Sequence, residues 1–182
     1  MILGVDPGYA KCGWSVVDER CARVVALGVI VTKQDDRLDV AADRAVRMGI
    51  VSAELVRIAR EYSVTRVAGE EPLGHGAPAA IAANQLPWGA IVMLATVLGL
   101  ELVMVVAKAW QRAVLDIEAG KVDYDVVEAM LAEYVGAQLA AVLKAIKKGD
   151  RTHGLDGTGI ALFAALRPHA ATRIIQRRSK AA

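Results

Sequence analysis

Aromatic side chains are scarce in this sequence: one Phe, three Trp and four Tyr account for 4% of its 182 residues. The core must therefore be built from Ala, Val, Leu and Ile, which dominate a hydrophobic share of 55%. Cysteine is scarcer still. Cys12 and Cys21 lack the spacing of a metal-binding pair and fall in an expected hairpin, so they read as reduced, packed thiols, and nothing asks for an oxidising compartment. Clean apolar runs are missing too. The longest, at residues 91–106, is broken by Thr96, Gly99 and Glu101, which excludes a membrane span there. Met1-Ile2-Leu3 has no basic segment ahead of its apolar residues, so a cleaved export signal is not expected. Nor does one sign of charge prevail. The net charge of +2 identifies no partner, and only Arg173, Arg177, Arg178 and Lys180 make a basic end, which suits phosphate contact or a solvated terminus. With no repeat and no low-complexity linker, the length fits one domain at residues 1–168 followed by a basic tail at 169–182.

What is present begins with strands. Residues 2–6, 13–18 and 22–32 read as three short strands of an antiparallel meander, with Asp18-Glu19-Arg20 as a polar turn. Apolar residues then recur at helical spacing through residues 38–62, with Val46, Ile50, Leu55, Ile58 and Ala59 on or near one face. A fourth strand follows at residues 65–70, then a glycine-rich loop at 73–78. A helix is expected at residues 79–98, kinked or broken at Pro87, and a fifth, doubly buried strand at 101–106. Helices are expected at residues 124–134, 137–148 and 155–166, the last stopped by Pro168. This order implies an α/β fold with a five-stranded mixed β-sheet flanked by helices on both faces.

Acids mark where the strands emerge. Asp6 ends the first strand ahead of Pro7-Gly8, and Glu70-Glu71-Pro72 ends the fourth. A carboxylate at the mouth of a buried strand is costly unless it pairs, accepts hydrogen bonds or binds a cation. Asp6 fits two readings, a cap on its own Pro-Gly turn or one member of a converging acidic group. The second requires the first and fourth strands to be neighbours with the last helix, which carries His153 and Asp156 near its start, packed over them. A one-residue slip would exchange Glu70 for Glu71. Asp150 sits one helical turn before His153, and both Glu71 and Asp150 read as solvated. Gly157-Thr158-Gly159 makes the expected start of that helix weak, by about 1 kcal/mol per glycine, as if metal or substrate were needed to order it.

Asp6-Pro7-Gly8 with Gly13, Glu70 closing a strand, and His153-Gly154-Leu155-Asp156 opening the last helix together resemble the RuvC-type Holliday-junction resolvases of the ribonuclease H-like superfamily. The resemblance runs from residue 2 to about 166. It implies a catalytic and metal-binding set of Asp6, Glu70, His153 and Asp156. Two Mg²⁺ ions are implied, with Mn²⁺ as an alternative, Asp6 bridging them, Glu70 on one and Asp156 on the other. His153, where many members have Asp, is implied either as a ligand or as a proton shuttle; the plain alternative is a solvent-facing histidine. Lys121 would assist catalysis or contact DNA, Lys108 and Arg112 less directly, and His75 in the 73–78 loop would approach the junction centre unless that stretch is an ordinary flexible loop.

The implied partner is four-way junction DNA, bound by a homodimer whose interface takes part of the helix at residues 81–98, with no membrane and a cytoplasmic setting in a bacterial cell or phage-infected host. The implied activity is paired symmetric nicking by two-metal phosphodiester hydrolysis. Two alternatives share the pattern, a YqgF-like RNA-processing nuclease and a junction-binding protein without catalysis. An actin-like or sugar-kinase-like ATP-binding module begins similarly but needs two lobes, for which the chain is too short.

Overall fold

A computed structural model describes residues 1–71, 78–106, 109–115, 123–136, 138–166 and 172–174. The meander forms as β1 (Ile2–Asp6), β2 (Lys11–Asp18) and β3 (Arg23–Val31), followed by α1 (Val40–Glu61) and β4 (Arg66–Glu70). Then come α2 (Pro78–Leu98), β5 (Glu101–Val105), α3 (Ala109–Leu115), α4 (Tyr124–Val135), α5 (Gln138–Leu143), α6 (Arg151–Leu166) and a short β6 (Thr172–Ile174).

The strands lie in the order β3-β2-β1-β4-β5-β6. β1 pairs antiparallel with β2 and parallel with β4, so it is central, and the ends of β1 and β4 point the same way. That is the neighbour relation the acidic group requires. The five expected strands are present, and a sixth extends the sheet. Thr172 and Ile174 are β-branched and pair antiparallel with Met104 and Leu102 of β5, so the sheet takes in residues past 168.

Two aliphatic cores sandwich the sheet. On one face α1 and α2 bury Val51, Leu55, Ile58, Ile91 and Leu94 against Leu3, Val5 and Val67. On the other, α6 and the short helices bury Trp110, Leu131, Leu139, Leu155 and Ile160 against Ile2, Val17 and Val103. α1 starts where Asp39 accepts hydrogen bonds from the amides of Ala41 and Ala42, both at 2.9 Å. α2 continues through Pro87, so the expected break does not occur.

α6 departs most from expectation. It begins at Arg151, one helical turn before the predicted start, so Gly157 and Gly159 lie in its interior. Their role is contact. A Cβ on Gly157 would sit 3.0 Å from the Trp14 Cα of β2, and one on Gly159 would sit 2.2 Å from Cε3 of the buried Trp110. The glycines give up helix propensity so that the helix can lie directly on β2 and against Trp110 of α3.

Candidate active site

β1 buries Ile2, Leu3 and Val5 completely and delivers Asp6 at its end, where the side chain is 19% exposed. The turn closes with the Gly8 amide donating to the Asp6 carbonyl at 2.9 Å. Gly13 lies opposite Asp6 in the β1–β2 register, and a Cβ there would come 1.9 Å from the His153 carbonyl oxygen. This bare spot lets the first turn of α6 settle onto the hairpin.

His153 Nδ1 then lies 2.8 Å from Asp6 Oδ2. That hydrogen bond lifts His153 above the ordinary imidazole value, against the opposing effect of burial. Asp156 follows three residues later on the same helix face. Its two carboxylate oxygens accept from the Tyr124 hydroxyl at 2.9 and 3.2 Å. Burial first, then the nearby Asp6 carboxylate, push the Asp156 carboxyl up to about 8; the Tyr124 hydrogen bond works against the rise and Glu70 adds to it. Burial and the Asp156 carboxylate likewise raise Tyr124.

Asp6, Glu70, His153 and Asp156 therefore act on one another across three elements that are distant in sequence. Glu70 is half-buried at the end of β4, whereas Glu71 is exposed and uses its backbone amide to bond the Val105 carbonyl at 2.8 Å. Asp150 is not simply solvated: it pairs with Lys11 at 2.6 Å and so ties the start of β2 to the approach to α6. Arg112 is exposed on α3. His75, Lys108 and Lys121 lie outside the described residues. Cys12 is buried, and burial pushes its thiol up to about 12, so it is inert as a ligand or nucleophile.

Sequence reasoning missed Tyr124 as a member of the site. Asp123 caps α4 by accepting from the Asp125 amide, which fixes Tyr124 as the first helical residue, but no spacing links it to an acid 32 residues later. The Lys11–Asp150 pair escaped for the same reason.

The donor set suits a hard divalent cation, since it offers carboxylate oxygens supplemented by one imidazole. Mutual repulsion around Asp156 is what such a cation would relieve. Among the described residues, no three of these donors already stand close enough together to enclose an ion.

Comparisons with known proteins bear on the family and the fold. A protein from Chlorobium chlorochromatii described as crossover junction endodeoxyribonuclease RuvC is 37% identical over 97 residues, covering 52% of this chain and 47% of that one. The chain thus matches about half the length of this relative. A protein of the same description from Pseudarthrobacter chlorophenolicus is 51% identical over 41 residues, 21% of each chain. Among solved structures, Thermus thermophilus RuvC in complex with a Holliday junction substrate superposes with a TM-score of 0.71 at 20% identity, covering 95% of this chain and 98% of that one. A second T. thermophilus RuvC structure gives 0.67, also at 20% identity, covering 95% and 99%. This is the ribonuclease H-like fold. The family model for crossover junction endodeoxyribonuclease RuvC matches residues 2–138, which include Asp6 and Glu70 but stop short of α6; it spans well over half of the sequence, and the chain belongs to the RuvC family.

Proposed function

We propose that this protein is a metal-dependent, structure-selective DNA endonuclease that resolves Holliday junctions by paired symmetric nicks. The observation that carries the proposal is the convergence of β1, β4 and α6 on one acidic group, with His153 bonded to Asp6 at 2.8 Å. Family membership supplies the substrate class.

Asp6, Glu70 and Asp156 would hold two Mg²⁺ ions, with Mn²⁺ as the alternative and His153 as a further donor. Bound there, the metal would supply a nucleophile at neutral pH and countercharge for the phosphoryl and leaving oxygens. The protein's own groups do the rest. Tyr124 fixes the Asp156 carboxylate by donating to both its oxygens. His153 orients Asp6 through Nδ1, which leaves Nε2 either to hold a metal or to exchange a proton with water or the leaving group.

A twofold dimer would match the symmetry of a four-way junction. Leu86, Met93 and Val97, exposed by 41, 58 and 64%, share one stripe of α2 and support a second copy as their cover. Among the described residues no helix is long and apolar enough to cross a membrane, and cytoplasmic work on DNA fits this reading.

The test is cleavage of a mobile four-way junction beside linear duplex and an RNA hairpin, with Mg²⁺, Mn²⁺ or EDTA. Symmetric nicks in the junction alone, lost in EDTA, are the expected result. Cleavage of the RNA instead would move the protein to the YqgF-like branch, and junction binding without nicking in either metal would make it a binding protein. Asp6→Asn should abolish nicking while leaving junction binding within about twofold, because acids at the site contribute little to phosphate affinity.

A further inference from the structure

The open edge of the sheet presents a feature that the active site does not use. β3 is the outermost strand and pairs only with β2, so half of its backbone N–H and C=O groups face outward without a sheet partner among the described residues. Proteins usually blunt such an edge with lysine, proline, a bulge or a short strand. Here the strand is nine residues long, and from Val24 to Thr32 it carries neither charge nor proline. Its one irregularity, where the register slips opposite Val16 and Val17, leaves the stretch from Leu27 to Val31 regular.

That regular stretch floors a groove of about 1000 Å³. One wall is α1, through Ile50 and Ala53; the other is the segment joining α5 to α6, through Ala145 and Ile146. Trp14 reaches the floor because Gly28 opposite it has no side chain: a Cβ there would lie 2.7 Å from the indole. Val31 and Ile50 are each 49% exposed on its lip.

Charge around the groove is one-sided once existing pairs are removed. Glu54 is bonded to Arg57 at 2.6 Å, and Asp150 to Lys11 at 2.6 Å. Lys33, just past the end of β3, is exposed, and so is Lys147 on the opposite wall, whose charge acts on Asp150 only as a lesser neighbour beside the close Lys11 pair.

We infer that this groove is a docking site for an extended protein segment that adds to β3 as a further strand, with alternating apolar residues facing the groove and acidic residues at its ends near Lys33 and Lys147. Bare backbone donors and acceptors supply the pairing, and the apolar walls supply pockets for alternate side chains. A second copy of this chain fits less well, since it would bring its own α1 and its own 144–150 segment to the same seam. Nucleic acid fits less well because two separated lysines over an apolar floor do not make a continuous cationic track.

The inference is independent of the nuclease reading and is tested without cleavage. A random linear peptide library is selected against the intact protein, and an enriched peptide is then followed by Trp fluorescence and amide hydrogen exchange. The expected peptides alternate apolar residues, carry net negative charge and protect β3 amides from exchange. Combining Lys33→Glu with Lys147→Glu should slow their association about tenfold at low salt and shift the selection toward basic peptides. Absence of enrichment, enriched peptides without alternation or acids, or unprotected β3 amides would overturn it. So would displacement of the peptide by a single-stranded oligonucleotide, or self-association that Val31→Lys abolishes, which would assign the groove to nucleic acid or to a second copy.

Discussion

The two faces of the sheet are covered by helices of different kinds. α1 meets its face through aliphatic side chains, Val51, Leu55 and Ile58, as an ordinary amphipathic helix does. α6 meets the opposite face partly through its own backbone, with the Gly157 carbonyl lying over Gly4 and the His153 carbonyl over Gly13. Side-chain packing tolerates some relaxation, whereas backbone-on-backbone packing fixes the helix position closely. The face that must bring His153 to Asp6 uses the second kind.

The largest expected effect comes from breaking that contact. A Cβ on Gly4 would lie 2.2 Å from the Gly157 carbonyl and 2.6 Å from the Ala161 nitrogen, both backbone atoms that cannot rotate away. Gly4→Ala should therefore destabilise the protein by about 3 kcal/mol, at the upper end of overpacking costs, as read by chemical denaturation. Leu55→Ala on the other face should cost about as much, within roughly 2–5 kcal/mol, by leaving a cavity. The two should separate when Mn²⁺ is added to the folded proteins: Leu55→Ala keeps metal-induced stabilisation and Gly4→Ala loses it. Equal responses would mean that the approach of α6 does not set the site.

The next effect tests a side chain within the close-packed face. Tyr124→Phe removes only the hydroxyl that bonds both oxygens of Asp156. Metal affinity should fall about tenfold, the lower end for losing a partner that orients a ligand, measured by calorimetric Mn²⁺ titration. A rise in affinity would instead make Tyr124 a competitor for the carboxylate.

A smaller effect should appear in pH dependence without metal. Asp156 carries a carboxyl raised to about 8, so between the ordinary carboxylate value and 8 the native state holds a proton that the unfolded chain has lost. Stability then falls as pH rises through that window, and the raised His153 acts in the same direction. The Tm of the metal-free protein should drop by several degrees from pH 5 to pH 8, about 2–4 °C for each kcal/mol in a chain of this size. Asp156→Asn should flatten the slope. Divalent metal should also oppose it, since metal binds the ionised form.

Sequence periodicity reveals the α1 face more fully than the α6 face for a physical reason. The apolar spacing of Leu55, Ile58 and Ala59 signals which side of α1 is buried before any partner is known. The emergent acids Asp6 and Glu70 were legible for a similar reason, since a polar residue ending an apolar run stands out. α6 gives no comparable signal: Gly154, Gly157 and Gly159 look like helix breakers until the strands and Trp110 they press against are in place. The helix therefore begins at Arg151, a turn ahead of where its spacing points. Tyr124 and the Lys11–Asp150 pair depend on tertiary contact alone, and β6 is too short to announce itself.

The smallest expected effect sharpens the comparison from the α1 side. Gly49 lies inside α1, is exposed, and a Cβ built on it meets nothing within 4 Å. Unlike Gly157, it has no close approach to justify its conformational cost. Gly49→Ala should stabilise the protein by about 0.5–1 kcal/mol through helix propensity alone, raising Tm by roughly 2 °C and leaving metal affinity unchanged. The same substitution at Gly157 would bring a Cβ within 3.0 Å of the Trp14 Cα and should destabilise. Opposite signs for one chemical change in two helices would establish that backbone contact, rather than intrinsic helix weakness, explains the glycines beside the acidic group. A loss of stability at Gly49 would instead mean that the outer face of α1 is covered by a partner in solution.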